Sequence, residues 1–131
     1  MSPKTPLKIM LVEDHTSFRQ ALAFVLQSEQ GLEVIAQAGS LAEAREALDG
    51  GRLGGRLDVA LVDLILPDGD GTELVGDLRR ADPSIKVIVL SADLWPRRVE
   101  ELSRAGVDAV FDKVQSPRQI AREVRREGGG G

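Results

Sequence analysis

The chain has 131 residues, of which 42% are hydrophobic and 29% charged, and its formal net charge is -4. These values are typical of one soluble globular domain, and the acidic balance argues against direct binding to nucleic acid, which requires a basic surface. The absence of cysteine excludes disulfides and thiolate metal sites and is consistent with a cytoplasmic protein. No apolar run approaches the length of a membrane span, and residues 1–6 lack the apolar core of a signal peptide.

Short apolar runs that predict strands alternate with segments in which apolar residues recur at helical spacing. Strands are predicted over residues 7–12, 32–38, 59–63, 85–90 (ending at Ser91) and 108–112. Five helices are predicted between and after them, marked by Phe18, Leu22, Val25 and Leu26; by Leu41, Ala44 and Leu48; by Leu74, Val75 and Leu78; by Val99 and Leu102; and by Ile120 and Val124.

Capping signals support four of the helix ends. Ser40 with Glu43, and Ser116 with Gln119, have the spacing of capping boxes at helix starts. Gly31 and Gly106 predict C-caps.

The alternation of five strands with five helices predicts a parallel sheet that is covered by helices on both faces. Right-handed crossovers favour the α/β flavodoxin-like (βα)5 fold, a doubly wound sheet with strand order 2-1-3-4-5. We expect one domain over residues 7–127, an N-terminal tail at 1–6 and a glycine tail or linker at 128–131, with a flexible loop at 50–55.

The residues whose side chains could bind a ligand or react lie at the carboxyl ends of the predicted strands. Asp63 directly follows a run that reads as a strand buried on both faces, and the carboxyl edge of such a sheet is where ligands bind. Two carboxylates about 4 Å apart repel by about 4 kcal/mol at an effective dielectric near 20, so clustered acids favour a hard cation such as Mg²⁺. An aspartate beside such an ion can attack a phosphoryl group, whose oxygens an ammonium and a hydroxyl then stabilise. The order 2-1-3-4-5 brings the candidates to one edge: Glu13, Asp14, Asp63, Ser91 and Lys113.

The sequence resembles the receiver domain of two-component response regulators over essentially residues 7–127. The motifs that carry the resemblance are Val12-Glu13-Asp14-His15, Val62-Asp63-Leu64-Ile65-Leu66-Pro67-Asp68-Gly69-Asp70-Gly71, Leu90-Ser91-Ala92, Ala105-Gly106-Val107-Asp108 and Lys113. His15, Phe18-Arg19 and Ser116-Pro117 are similar to the NarL/LuxR-type branch, whose members carry a helix-turn-helix output.

This resemblance implies a role for each motif. Asp63 would be the phosphoacceptor, and the Mg²⁺ ligands would be Glu13, Asp14, Asp63 and the backbone carbonyl of Ile65. Ser91, with Ala92, would form the switch that binds the phosphoryl group together with Lys113. The expected partners are a sensor histidine kinase and an output domain, a partner protein or a second copy of the chain, with neither nucleic acid nor membrane contacted directly. The domain would promote only its own phosphorylation and dephosphorylation, and would not otherwise be an enzyme.

Two positions depart from the family pattern. Val110 stands where such receivers usually carry Tyr or Phe, and Phe111 should point to the opposite face of its strand because side chains alternate. Val114 stands where many receivers have proline, which removes a possible cis peptide bond. Asp93 and Ile65 flank the expected phosphoryl site, where we expect them to tune hydrolysis by controlling access of water.

Three other interpretations compete with this one. The run Asp68-Gly69-Asp70-Gly71-Thr72 matches the signature of haloacid-dehalogenase-type phosphatases, but Pro67 and a turn separate it from the strand. An EF-hand loop that began at Asp68 would have Arg79 at its twelfth position, where such a loop requires a bidentate glutamate. A receiver-like interaction module that never uses phosphate is favoured only by Val110.

Overall fold

The computed structural model describes residues 5–49, 55–92 and 95–129. Asp93, most of the predicted tail at 1–6 and nearly all of the predicted loop at 50–55 lie outside the described residues. Among the described residues, no helix is both long enough and apolar enough to cross a bilayer.

Strands and helices follow one another in the predicted order, except that two short strands lie between the third long strand and the third helix. The strands are β1 (Leu7–Val12), β2 (Leu32–Ala38), β3 (Val59–Asp63), β4 (Ile65–Leu66), β5 (Gly69–Asp70), β6 (Lys86–Ser91) and β7 (Ala109–Asp112). The helices are α1 (Thr16–Ser28), α2 (Leu41–Asp49), α3 (Glu73–Ala81), α4 (Pro96–Arg104) and α5 (Pro117–Gly128).

Five strands form one parallel sheet in the order β2-β1-β3-β6-β7. Counted among the strands of this sheet alone, the order is 2-1-3-4-5, which confirms the predicted flavodoxin-like topology. The central pair β1 and β3 is in register from Ile9 opposite Val59 to Val12 opposite Val62. The residues that follow these two strands therefore emerge side by side.

Helices cover both faces of the sheet, as the continuous apolar strands predicted. On one face, β3 contributes Val59 and Leu61 to a core that includes buried residues of α1 and α5. On the other face, it contributes Ala60 and Val62 to a core shared with α2, α3 and α4. Every residue of β3 is buried, so this strand has no solvent-facing side.

The side chains of β7 alternate as expected. Phe111 is buried in the core shared with α1 and α5, whereas Val110 is half-buried against the opposite core. The Phe111 ring therefore lies on the wrong side of the sheet to take the place of a Tyr or Phe at position 110.

A two-residue antiparallel hairpin, β4–β5, follows β3 and was predicted only as a turn. Its Asp68 caps α2 from a distance, since the carboxylate accepts hydrogen bonds from the N–H groups of Leu41 (2.8 Å) and Ala42 (3.0 Å). These two backbone bonds lower the pKa of Asp68. Asp68 thus has a structural partner, in keeping with the weak support for the phosphatase and EF-hand interpretations.

Some helix ends differ from the sequence expectation. Helix α1 ends at Ser28 with Glu29 as its C-cap, and Gly31, at φ 89°, lies in the turn before β2. Ser40 accepts a hydrogen bond from the Glu43 N–H as predicted, but the Glu43 carboxylate accepts from Gly39 instead of completing the capping box.

Helix α5 agrees with the predicted start but not with the predicted end. The capping box of Ser116 and Gln119 is complete. The helix runs one residue further than predicted, since it includes Gly128.

Gly71 makes a close approach to the backbone of the central strand, which generates a test of the fold. A Cβ at this position would lie 2.3 Å from the Asp63 carbonyl oxygen and 3.0 Å from Val62 Cγ1. We expect Gly71→Ala to lower the free energy of unfolding by about 1–3 kcal/mol, because the loop must move to relieve the clash. Urea unfolding followed by circular dichroism measures the change.

Gly76 provides the matched control, because it lies in the exposed part of α3, where the nearest atom to an added Cβ is the flexible Arg80 Nη1 at 3.4 Å. Gly76→Ala should stabilise the protein by about 0.5–1 kcal/mol. Equal stability of Gly71→Ala and wild type would contradict the packing described for this loop.

Candidate functional site

The predicted site residues lie at the carboxyl edge of the sheet, where the connections from β1 and β3 diverge to opposite sides. Glu13 and Asp14 follow β1, Asp63 ends β3, Ser91 ends β6, and Lys113 follows β7. A junction of this kind is a crevice in which α/β sheets bind ligands. The strand order alone therefore accounts for their convergence.

Glu13 is completely buried, and its polar atoms are engaged on several sides. Its backbone N–H donates to the Ala38 carbonyl (2.9 Å), and its Oε2 accepts from the His15 N–H (2.9 Å). Its Oε1 lies 2.6 Å from Lys113 Nζ but makes no well-aligned hydrogen bond. Burial raises the pKa of Glu13, although the close Lys113 ammonium and the hydrogen bond from His15 oppose this effect.

Lys113 joins two of the acids. Its Nζ lies 2.6 Å from Glu13 Oε1 and 3.1 Å from Asp63 Oδ2. Burial alone would lower the pKa of Lys113, but the hydrogen bonds to the two carboxylates outweigh burial and raise it. The ammonium also lies 5.0 Å from the centre of the Phe18 ring, within the range of a cation–π contact. Lys113 is therefore fixed as a cation between Glu13 and Asp63.

Asp63 and Ser91 are buried at the floor of the site. One carboxylate oxygen of Asp63 faces Lys113, and the other accepts a long hydrogen bond (3.5 Å) from the Ile65 N–H. The backbone carbonyl of Ser91 accepts a hydrogen bond from the backbone N–H of Lys113 (3.0 Å), and this bond connects the ends of β6 and β7. Ala92, the next residue, is exposed.

A cavity of about 360 Å³ opens beside this floor, between the β4–β5 hairpin and α4. Ile65 and Trp95 are largely exposed at its walls. Its lining comprises Leu64, Ile65, Asp70, Ser91, Trp95, Arg97, Arg98 and Glu101.

Asp70 and Arg98 join the hairpin to α4 across this cavity. Their Oδ2 and Nη2 atoms are 3.0 Å apart. Burial alone would raise the pKa of Asp70, but hydrogen bonds from Thr72 and the charge of Arg98 lower it. Sequence reasoning missed this ion pair, because the two residues are 28 positions apart.

The residues fit a hard divalent cation, although the geometry differs from the predicted ligand set. Ligand atoms of Glu13, Asp14 and His15 all lie within 4.8 Å of one another, and this group does not include Asp63. Asp63 instead meets Glu13 through the shared ammonium of Lys113. The adjacent carboxylates still form an oxygen-rich, negatively charged site of the kind that Mg²⁺ prefers.

His15 is the N-cap of α1. Its Nδ1 lies 3.6 Å from Glu13 Oε2 and 3.8 Å from Asp14 Oδ1. The side chain is mostly exposed, and the adjacency of His15 to the acid pair was the one sequence signal of its proximity.

A sequence model described as the response regulator receiver domain matches residues 9–125. The DNA-binding transcriptional activator DevR/DosR of Mycobacterium tuberculosis is 32% identical over 124 residues, which are 95% of this chain and 55% of that protein. The chain thus spans about half the length of the relatives it matches.

Solved structures show the same fold. The receiver domain of a response regulator, NarL, from Mycobacterium tuberculosis superposes with a TM-score of 0.84 at 23% identity, covering 98% of this chain and 100% of that one. A response regulator from Burkholderia pseudomallei, solved with a phosphorylated aspartic acid, a calcium ion and citrate, gives 0.74 at 23% identity, covering 92% and 72%.

The ion pair between Lys113 and Glu13 generates a prediction about stability. Lys113→Met should lower the free energy of unfolding by about 3 kcal/mol, because it leaves the buried Glu13 carboxylate without its counter-charge. The double variant Glu13→Gln/Lys113→Met should recover part of this loss, since Glu13 then carries no unpaired charge, whereas Asp63 still lacks its contact with the ammonium. Urea unfolding of wild type, both single variants and the double variant gives the coupling energy. Additive effects of the two substitutions would contradict the contact.

Proposed function

The chain belongs to the family of response regulator receiver domains, and we propose that it accepts a phosphoryl group on Asp63 from a sensor histidine kinase. The transfer depends on Mg²⁺, and the phosphorylated domain changes conformation to control an output domain or a partner protein. The observation that carries the proposal is the buried Asp63 carboxylate at the end of β3, held by an ammonium that it shares with Glu13.

The reaction follows from the chemistry of these groups. An Asp63 carboxylate oxygen attacks the phosphorus atom of a phosphohistidine, an O–P bond forms, and the P–N bond breaks. The imidazole leaves with the electron pair of that bond, and Asp63 becomes an acyl phosphate. Lys113 moves its hydrogen bond from the carboxylate to a phosphoryl oxygen, and the Ser91 hydroxyl donates to another.

Mg²⁺ would be held by Glu13, Asp14, Asp63 and the carbonyl of Ile65, and when bound it offsets the negative charge of the phosphoryl group. Burial of Glu13 and Asp63 supports this assignment, because the two carboxylates share the ammonium of Lys113 and a bound cation would offset the negative charge that remains. Hydrolysis of the acyl phosphate is the only further reaction assigned to the domain, which makes it a signalling domain and not an enzyme acting on other substrates.

The element that responds is α4 with the adjacent surface of β7. Leu102 is the only buried residue of α4, all of which the structure describes, so this helix is weakly anchored to the sheet. Movement of Ser91 and of the following loop toward the phosphoryl group would therefore shift α4 at small energetic cost.

The output belongs to the proposal as well. DevR/DosR is a DNA-binding transcriptional activator, and we propose that this domain likewise regulates transcription, through an attached output domain, a partner or a dimer. The cytoplasmic location expected from the sequence is part of the same proposal.

A second candidate function is a receiver-like interaction module that does not use phosphate. Val110 favours it, because this half-buried valine provides no aromatic ring to follow Ser91 inward. The complete set of Asp63, Glu13, Asp14, Ser91 and Lys113 favours the phosphoacceptor, since a module that never uses phosphate has no need of all five.

The decisive experiment is the intact mass of the protein after incubation with acetyl phosphate and Mg²⁺. Wild type should gain one phosphoryl group, and the gain should disappear in Asp63→Asn and when EDTA removes the metal. Trp95, the only tryptophan, lines the same cavity as Ser91, so its fluorescence should change in wild type and not in Asp63→Asn.

Asp82→Asn is the matched control, because Asp82 lies before β6, at the opposite end of that strand from Ser91, where it bonds to Ser84. This variant should be phosphorylated like wild type. If wild type gains no phosphoryl group from acetyl phosphate or from a histidine kinase, and Asp63→Asn binds its partner as wild type does, the interaction module is the correct function.

A further inference from the structure

We propose that Arg19 is a positioning residue for the acid pair, which holds the backbone of Glu13 so that the carboxylates of Glu13 and Asp14 can bind Mg²⁺. This inference rests on the proposed function, because it concerns the affinity for the cation on which that function depends.

The backbone of Glu13 is held from two sides. Arg19 reaches back from the second turn of α1, and its Nη1 donates to the Glu13 carbonyl oxygen at 2.9 Å. From the other side, the Glu13 N–H donates to the Ala38 carbonyl at the end of β2, also at 2.9 Å. The peptide groups on both sides of Glu13 are thus fixed, one by the sheet and the other by a side chain.

The stability of α1 does not explain Arg19. A cation near the start of a helix interacts unfavourably with the helix dipole, and α1 has no acidic residue in its first turn to offset this effect. Among the described residues, Arg19 makes no ion pair, and its Nε is buried without a hydrogen bond. The contact that Arg19 does make is the one with the Glu13 carbonyl.

Gly39 provides the space for this contact. A Cβ on Gly39 would lie 3.0 Å from Arg19 Nη1 and 3.4 Å from Glu43 Oε1, whereas the Glu13 carbonyl oxygen lies 4.0 Å away. A larger residue at this position would therefore push the guanidinium aside by a few tenths of an ångström and disturb its hydrogen bond to Glu13. Substitution of Gly39 is thus a second way, independent of any change to Arg19 itself, to disturb the contact between Arg19 and the Glu13 carbonyl.

Two physical effects of Arg19 on Mg²⁺ binding have opposite signs. Its positive charge repels the incoming cation, so loss of the charge alone would strengthen binding. Its hydrogen bond orders the ligands, so loss of the bond would weaken binding. We expect ordering to dominate, because Glu13 is completely buried and its backbone is hydrogen-bonded on both sides, whereas Arg19 is only partly buried, so water and salt partly screen its charge.

The test is the Kd for Mg²⁺, measured on the full chain at constant ionic strength from the chemical shifts of the Asp14 and His15 backbone amides. Arg19→Met keeps the length and helix propensity of the side chain but removes the donor. It should raise the Kd about tenfold, as loss of groups that orient metal ligands does. Gly39→Ala should raise it by a smaller factor.

Two controls separate charge from position. Arg80→Met removes the same charge from the exposed face of α3, where Arg80 pairs with Asp77, and should leave the Kd within about twofold because of screening. Arg19→Lys keeps the charge at the site and should give a Kd between those of wild type and Arg19→Met. The thermal midpoint of each variant shows that it is folded at the temperature of the titration.

The dependence of phosphorylation on Mg²⁺ gives a second readout. In Arg19→Met, the Mg²⁺ concentration for half-maximal phosphorylation by acetyl phosphate should rise with the Kd, while the rate at saturating Mg²⁺ stays near that of wild type. A Kd for Arg19→Met equal to or below that of wild type would overturn the inference.

Failure of this inference and failure of the proposed function have different signatures. If wild type binds Mg²⁺ and is phosphorylated while Arg19→Met keeps the wild-type Kd, only the positioning role is wrong. If wild type neither binds Mg²⁺ nor gains a phosphoryl group, both fail.

Discussion

One ammonium group, shared between two buried carboxylates, holds the site together. Lys113 Nζ contacts Glu13 Oε1 at 2.6 Å and Asp63 Oδ2 at 3.1 Å, and without this cation the two acids would repel each other in a poorly hydrated crevice. The sheet makes the contact possible, because its order places the ends of β1 and β3 next to each other. The remaining features, from the acid pair to Ser91 at the end of β6, are arranged around this group.

The convergence of the site residues could be predicted from the sequence because it depends on local signals and one topological rule. Apolar runs located the strands, and the parallel order then required Asp63, Ser91 and Lys113 to meet at one edge. The opposite orientations of Val110 and Phe111 followed from the period of a strand in the same way. These features needed no knowledge of long-range side-chain contacts.

Features that depend on long-range pairing could not be predicted. The Asp68 carboxylate caps a helix that begins 27 positions earlier in the chain, and the β4–β5 hairpin has strands of two residues, too short for any periodicity. The contact of Arg19 with the Glu13 carbonyl could not be predicted either, because no pattern of residue types in the sequence indicates it. His15 is close in sequence to the two acids, but neither its charge nor the hydrophobic periodicity indicated that its ring would lie beside their carboxylates.

The most direct test of the account is a crystal structure of the chain with Mg²⁺ and beryllium fluoride, an analogue of the phosphoryl group. The account predicts beryllium bound to an Asp63 carboxylate oxygen, Lys113 Nζ moved from that carboxylate to one fluoride, and the Ser91 hydroxyl bonded to another. The metal should be coordinated by Glu13, Asp14, Asp63 and the backbone carbonyl of Ile65. Beryllium fluoride absent from Asp63 under these conditions, with Lys113 still on both carboxylates, would contradict the central claim.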